Sequence, residues 1–273
     1  MPARTWQGRA SALPPLAPRL RAVRPLHCPA SSRMGATMTT VRIAFDKELV
    51  LSGHFLLKHL EKPELQRLAA SARLAYFRPG AVIFQKGDPG DSMMAVIRGR
   101  VKICSHSTDG KELVLNIINK GGLFGEIALL DGEPRTADAV ALEETDLLVL
   151  DRSKFVPLLN ERPAVALQLI TVLCKRLRQT SEHLEDTLFL EASSRFARAL
   201  MRLADVFGKP APGGLKLDIK LSQQQLGCLV GVSRESINKL LGEWQRNGVI
   251  AVESGRITLL DRNALEEIAE ANG

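Results

Sequence analysis

Residues 163 to 190, "PAVALQLITVLCKRLRQTSEHLEDTLFL", carry one uninterrupted helical pattern with no glycine and no proline after its first residue. This stretch divides the chain, because the sequence on either side follows a different rule. Ahead of it, strand-like pieces ("AVIFQKG", "SMMAVIRGRVKICSHS", "ELVLNIINKGG", "TADAVALEETDLLVLD") alternate with glycine-bearing turns. Short strands at such spacing predict an antiparallel roll or barrel. Behind it, "SSRFARALMRLADVF" is helical, "LKLDIK" alternates like a strand, and two short helices and a strand pair follow. The expected class is α+β. An N-terminal antiparallel β-roll of jelly-roll type occupies residues 41–160, a long helix 161–190 and a smaller helical domain 191–273. Within the first of these, residues 56–74 also read as helical, interrupted only by Pro63.

The long helix has a seam. Ile170, Leu173, Leu177 and Leu184 follow a three-four alternation, the a/d pattern through which two copies of a helix pair. Thr180 falls on that seam with Ser181 beside it. Either a polar residue sets the register there, or the seam passes a ligand.

The formal charge of +7 hints at nucleic acid, but its distribution removes the hint. Six arginines and no acid lie in residues 1–40, leaving 31 basic against 30 acidic residues elsewhere. That leader is rich in Pro, Ala and Arg and is expected to be disordered. A transit peptide and a start codon set too far upstream, with Met34 or Met38 as the true start, are its alternatives. No apolar run approaches the ~20 residues that span a bilayer, so no membrane role is expected. Four separated cysteines (Cys28, Cys104, Cys174, Cys228) with no C-x-x-C pair suit reduced thiols in a cytoplasm and predict no metal centre. The five histidines (His27, His54, His59, His106, His183) are scattered. With no nucleophile–base spacing, H-E-x-x-H or P-loop, neither catalytic residues nor a cofactor are expected.

Two segments carry chemistry. "FGEIALLDGEPRTADAVA", residues 124–141, has the apolar content of an interior yet holds Glu126 and Arg135. A buried ion pair stabilises little compared with apolar packing. The two charges are therefore either such a pair or a grip for a ligand needing both. "SQQQLGCLVGVSRESINKLLGEW", residues 222–244, has the spacing of a helix-turn-helix. Ser222 and Gln225 form a capping box, Gly227 permits close approach, Gly231 suits a sharp turn, and Ser233 caps the second helix. Ile237, Leu240 and Leu241 face the core. Arg234, Glu235, Asn238 and Lys239 are left on the opposite face, where a recognition helix meets base edges. The glycine-linked strands behind them look like a wing, with Arg256 available for phosphate.

Over residues 45 to 260 this order of roll, long helix and winged helix-turn-helix resembles the Crp–Fnr family of bacterial transcription regulators. The likeness rests on the two segments just quoted and on "KRLRQTSEHLEDTLFLE". It implies that residues 124–141 are a phosphate-binding cassette for a cyclic nucleotide, an allosteric ligand. In that reading Glu126 accepts from the ribose 2′-OH, and Arg135 pairs with the cyclic phosphate. Thr136 donates to the same phosphate, Gly125 lets the backbone approach, and Arg176 lies near the ribose and the glutamate. Thr180 and Ser181 match a pair that holds adenine in cyclic-AMP-responsive members, one from each subunit of a homodimer. Cyclic AMP is thus the expected effector, with cyclic di-GMP or no effector as the alternative and a non-DNA binding module as the weaker third. On double-stranded DNA the resemblance makes Arg234 and Glu235 base readers and Ser222, Ser233 and Ser236 phosphate contacts. Lys239 stands where cyclic-AMP-responsive members carry a third base-reading arginine, and a lysine cannot offer that fork. RNA polymerase is a further implied partner.

Overall fold

The computed structural model describes residues 46–57 and 60–271. The expectations for residues 1–40, and for Cys28, His27 and His59, lie outside the described residues. Helix α1 (Lys47–Ser52) starts at Asp46, whose side chain accepts from the Glu48 and Leu49 amides. Helix α2 (Lys62–Ser71) follows. The helix expected over residues 56–74 is therefore much shorter. Pro63 sits in its first turn, where the missing N–H costs nothing, and it marks a start. Glu61 and Glu64 close the turn as a reciprocal box. Leu56 and Leu57 lie in preceding turns, packed into the core, and Leu74 already belongs to a strand.

Eight strands follow: β1 (Arg73–Phe77), β2 (Val82–Phe84), β3 (Ser92–Arg98), β4 (Val101–His106), β5 (Glu112–Ile118), β6 (Leu123–Phe124), and, after helix α3 (Glu126–Asp131), β7 (Asp138–Ala141) and β8 (Thr145–Asp151). They form two antiparallel sheets, β1-β8-β3-β6 and β2-β7-β4-β5. Strand β3 reads as an apolar run because both of its faces are covered. Met94 and Val96 join Val101, Phe124 and Leu147 between the sheets. Met93, Ala95 and Ile97 pack outward on Leu56, Leu65, Phe155 and Leu169. That outer layer includes helix α4 (Arg152–Glu161) and the first turns of helix α5 (Pro163–Phe189).

Helix α5 is the expected long helix. Val165 and Leu169 anchor its start, whereas Leu167, Ile170, Leu177, Leu184, Leu188 and Phe189 are each more than half exposed. Its last turn is held by a buried acid, Asp186, which accepts from Arg198 at 2.9 Å and Arg202 at 2.7 Å. Both arginines lie on helix α6 (Ala192–Phe207). The C-terminal domain adds β9 (Gly208–Ala211), β10 (Gly214–Leu217), helices α7 (Gln223–Val230) and α8 (Arg234–Arg246), strands β11 (Ile250–Glu253) and β12 (Arg256–Leu259), and helix α9 (Arg262–Glu270). Its sheet runs β11-β12-β10-β9. Trp244 stacks on Phe196 with ring centroids 5.1 Å apart at the centre of this core.

Candidate ligand cavity and DNA-facing helix

Gly125 begins the cavity. It caps α3 at φ +77, a left-handed conformation that favours glycine, and a Cβ there would sit 2.6 Å from Arg135 Nη1. Arg135 is set from both sides of its peptide: its N–H donates to Asp88 O and its carbonyl accepts from Gly87 N. Its guanidinium donates to Gly125 O at 2.8 Å and to Ser92 Oγ at 3.2 Å, and lies 4.3 Å from the centre of the Phe84 ring. Burial pulls its pKa below the usual arginine value, opposed by Asp91, Asp88 and Glu126. Its Nε–H has no partner among the described residues.

Glu126 is fully buried but does not bond Arg135. Its Oε1 accepts instead from Arg176, which reaches across from α5 and also donates to Leu123 O. Glu126 Oε2 has no partner among the described residues. Of the two readings of this segment, a closed Glu126–Arg135 pair is excluded by the geometry. Each group keeps an unsatisfied polar atom, which is costly unless something else occupies the site.

Both groups line a cavity of about 180 Å³ between the roll and α5. Gly125, Glu126, Arg135, Thr136, Arg176 and Thr180 all meet there. Ser181 does not line it, being one residue around the helix and exposed. Thr180 and Ser181 each donate their hydroxyl hydrogen to a carbonyl one turn back, Arg176 O at 2.9 Å and Leu177 O at 3.1 Å. Sequence reasoning missed Ser92, Phe84 and Gln179. Of these only Gln179, adjacent to Thr180, could have been placed from helical spacing; Ser92 and Phe84 come from other strands.

In the C-terminal domain the expected caps form. Ser222 accepts from the Gln225 amide at 3.1 Å while Gln225 returns a bond to Ser222 N. Ser233 Oγ accepts from Ser236 N at 3.1 Å and lies 3.1 Å from Ser236 Oγ. Gly231 turns at φ +70, and a Cβ on Gly227 would meet Val232 O at 2.6 Å. Ile237 and Leu241 are buried, and Leu240 is half-buried. Arg234, Glu235, Asn238 and Lys239 are exposed on one side of α8, with Asn238 Oδ1 tied to Gln223 Nε2 at 3.0 Å.

Arg256 donates through Nη1 to Asp218 at 3.2 Å and keeps its side chain 41% exposed, an ion pair its place in the sequence does not announce. Asp218 follows β10, the neighbour of the strand that Arg256 opens, and it gathers Lys209 at 2.7 Å and Arg100 of the roll at 3.5 Å as well. Sequence spacing could not show an acid 38 residues away.

Comparison with known proteins agrees with this geometry. Residues 74–162 match the model of the cyclic nucleotide-binding domain, and residues 194–268 that of the Crp-like helix-turn-helix domain. The chain is 33% identical over 220 residues to a CRP-like cAMP-activated global transcriptional regulator of Mycobacterium tuberculosis, covering 81% of this chain and 97% of that one. A cyclic AMP receptor protein of Thermus thermophilus is 34% identical over 201 residues, covering 72% and 90%. A solved CRP/FNR-family transcriptional regulator from the same organism superposes with a TM-score of 0.62 at 30% identity, covering 74% of this chain and all of that one. With a roll that carries the nucleotide-binding cassette and a helix-turn-helix behind the long helix, the chain belongs to the Crp–Fnr family of DNA-binding transcription regulators.

Proposed function

We propose that the chain is a cyclic-AMP-responsive regulator that binds palindromic operators as a homodimer and acts through RNA polymerase. The observation that carries this reading is the pair of unsatisfied atoms in one cavity, Arg135 Nε–H and Glu126 Oε2. A cyclic nucleotide presents one anion and one ribose hydroxyl, and so supplies the missing partner of each. Arg135, already fixed at two donors, turns the remainder of its planar fork to the phosphate. Thr136 adds its hydroxyl, Gly125 admits the phosphate close to the backbone, and Glu126 takes the 2′-OH. Arg176 bridges the glutamate to α5, so ligand and helix share one residue.

Thr180 reaches the cavity from the same chain, and Ser181 completes it from a second copy. The exposed apolar stripe on α5 supports that pairing, since an unpartnered run of leucines on a long helix is stabilised by a second helix. The cAMP-activated relative from Mycobacterium tuberculosis supports the choice of effector. Pairing would set two α8 helices about 34 Å apart, one turn of duplex. Arg234 and Glu235 then read guanine and cytosine edges, Ser222, Ser233 and Ser236 hold phosphates beside Asn238, and Lys239 reads less sharply. Arg256 joins the phosphate contacts with the guanidinium nitrogens that Asp218 does not take. Differential binding of the ligand to the DNA-ready state is typically worth about 1–3 kcal/mol.

A gel-shift on a palindromic site, with and without cyclic AMP, tests this. The nucleotide should tighten the complex about 30-fold, matching the middle of that range. An affinity that does not change with cyclic AMP, or that responds only to cyclic di-GMP, would overturn the effector assignment.

A further inference from the structure

A second polar cluster lies outside the nucleotide cavity, on the outer face of the β2-β7-β4-β5 sheet. Cys104 and His106 are two apart on β4 and share a face, and Asp138 of β7 is the register partner of Cys104. One donor atom from each of the three lies within 4.8 Å of the others. Nothing in nucleotide or DNA binding uses them. We propose that Cys104, His106 and Asp138 bind a zinc-class divalent cation.

The donor set of sulfur, imidazole and carboxylate suits zinc. Its charge also balances: Cys104 as thiolate and Asp138 as carboxylate neutralise two positive charges, with His106 neutral. Cys104 is fully buried, so its thiol proton leaves by way of the half-exposed His106 to solvent as the sulfur–metal bond forms. The surroundings are those of a supported site. Asp138 spends Oδ1 on the Lys86 amide at 2.7 Å and turns Oδ2 to His106, in a hydrogen bond that a bound cation would replace. His106 Nδ1 lies 2.7 Å from that Oδ2, while its Nε2 points to Glu112 Oε1 at 3.9 Å. A ligating imidazole ordinarily hydrogen-bonds a carboxylate behind it, a contact that Glu112 at 3.9 Å would make only by closing on the ring. Glu112, the register partner of His106, is neutralised by Lys102. Tetrahedral bonds of about 2.0–2.3 Å place donor atoms about 3.4 Å apart, so His106 and Asp138 must part by less than an ångström. His106 is half exposed and free to give that distance, and its open side admits a water as fourth ligand. Linear spacing hides the site, because it uses one cysteine and draws on two strands.

Full-length protein stripped with chelator and titrated with cobalt(II) tests the proposal. One equivalent should produce a thiolate-to-cobalt charge-transfer absorption, and zinc(II) should abolish it by displacement. His106→Ala, half exposed and therefore safe for folding, and Asp138→Asn should each weaken cobalt binding by about tenfold or more. Cys174→Ser, which removes the exposed cysteine among the described residues, should leave it unchanged. No absorption in the parent protein would overturn the site. So would an absorption that survives both His106→Ala and Asp138→Asn, whichever cysteine carries it.

Discussion

Replacing Arg135 by alanine removes the cation whose guanidinium carries a buried, unpartnered N–H in the cavity, among the described residues. The phosphate would lose two charge-assisted hydrogen bonds, each worth about 1.5–3 kcal/mol. Taking the lower figure for each gives about 3 kcal/mol, a loss of affinity on the order of 100-fold. Arg135→Lys keeps the charge but not the fork, and should lose about half of that free energy, roughly tenfold in affinity. Both variants also release Gly125 O and Ser92 Oγ from their present donor, so stability must be followed separately. The assay is calorimetric titration with cyclic AMP, paired with thermal unfolding in the absence of nucleotide. A folded Arg135→Ala protein that binds cyclic AMP within about threefold of the parent would refute the reasoning, whatever happens to DNA binding.

Glu235→Ala should cost about 1–3 kcal/mol at one base pair of the operator and little elsewhere, as measured by gel-shift on single-base variants. A uniform loss across all sequences would make Glu235 a fold residue instead. Leu177→Glu places a charge in each half of the paired seam and removes about 2 kcal/mol of burial per copy, so sedimentation should report monomers at micromolar concentration. An unchanged dimer would move the interface off α5. Burial lowers the pKa of His54 below its ordinary 6.5, so the folded chain keeps it neutral where the unfolded chain takes up a proton. Its contribution to stability is present above that value and lost as pH falls below it. Melting points recorded between about pH 7 and pH 5 should therefore drop less steeply in His54→Gln than in the parent.

The order of roll, long helix and helix-turn-helix was legible because each part imposes its own period and its own turn residues on the sequence. The capping box at Ser222 and the turn at Gly231 are local, and they form as their spacing requires. What spacing could not supply was the pairing of charges. Glu126 and Arg135 are close in sequence and invite each other, yet Glu126 is met by Arg176, 50 residues on, and Arg135 by Gly125 O and Ser92 Oγ. Arg256 looked free for the same reason, its partner Asp218 lying 38 residues away. The helix read over residues 56–74 failed differently. Its leucines keep a helical period while serving as separate plugs beneath the sheet, and Pro63 opens a helix where the pattern suggests an interruption of one.

The hydroxyls of Thr180 and Ser181 have their hydrogens committed to α5's own carbonyls. What they offer outward is lone pairs alone. A purine edge lying against them meets two acceptors, which an exocyclic amine satisfies and a carbonyl opposes. Adenine carries an amine at its sixth position and guanine an oxygen. The helix would thus screen 6-amino from 6-oxo purines through its own internal bonding, without any residue set aside to reject the wrong base.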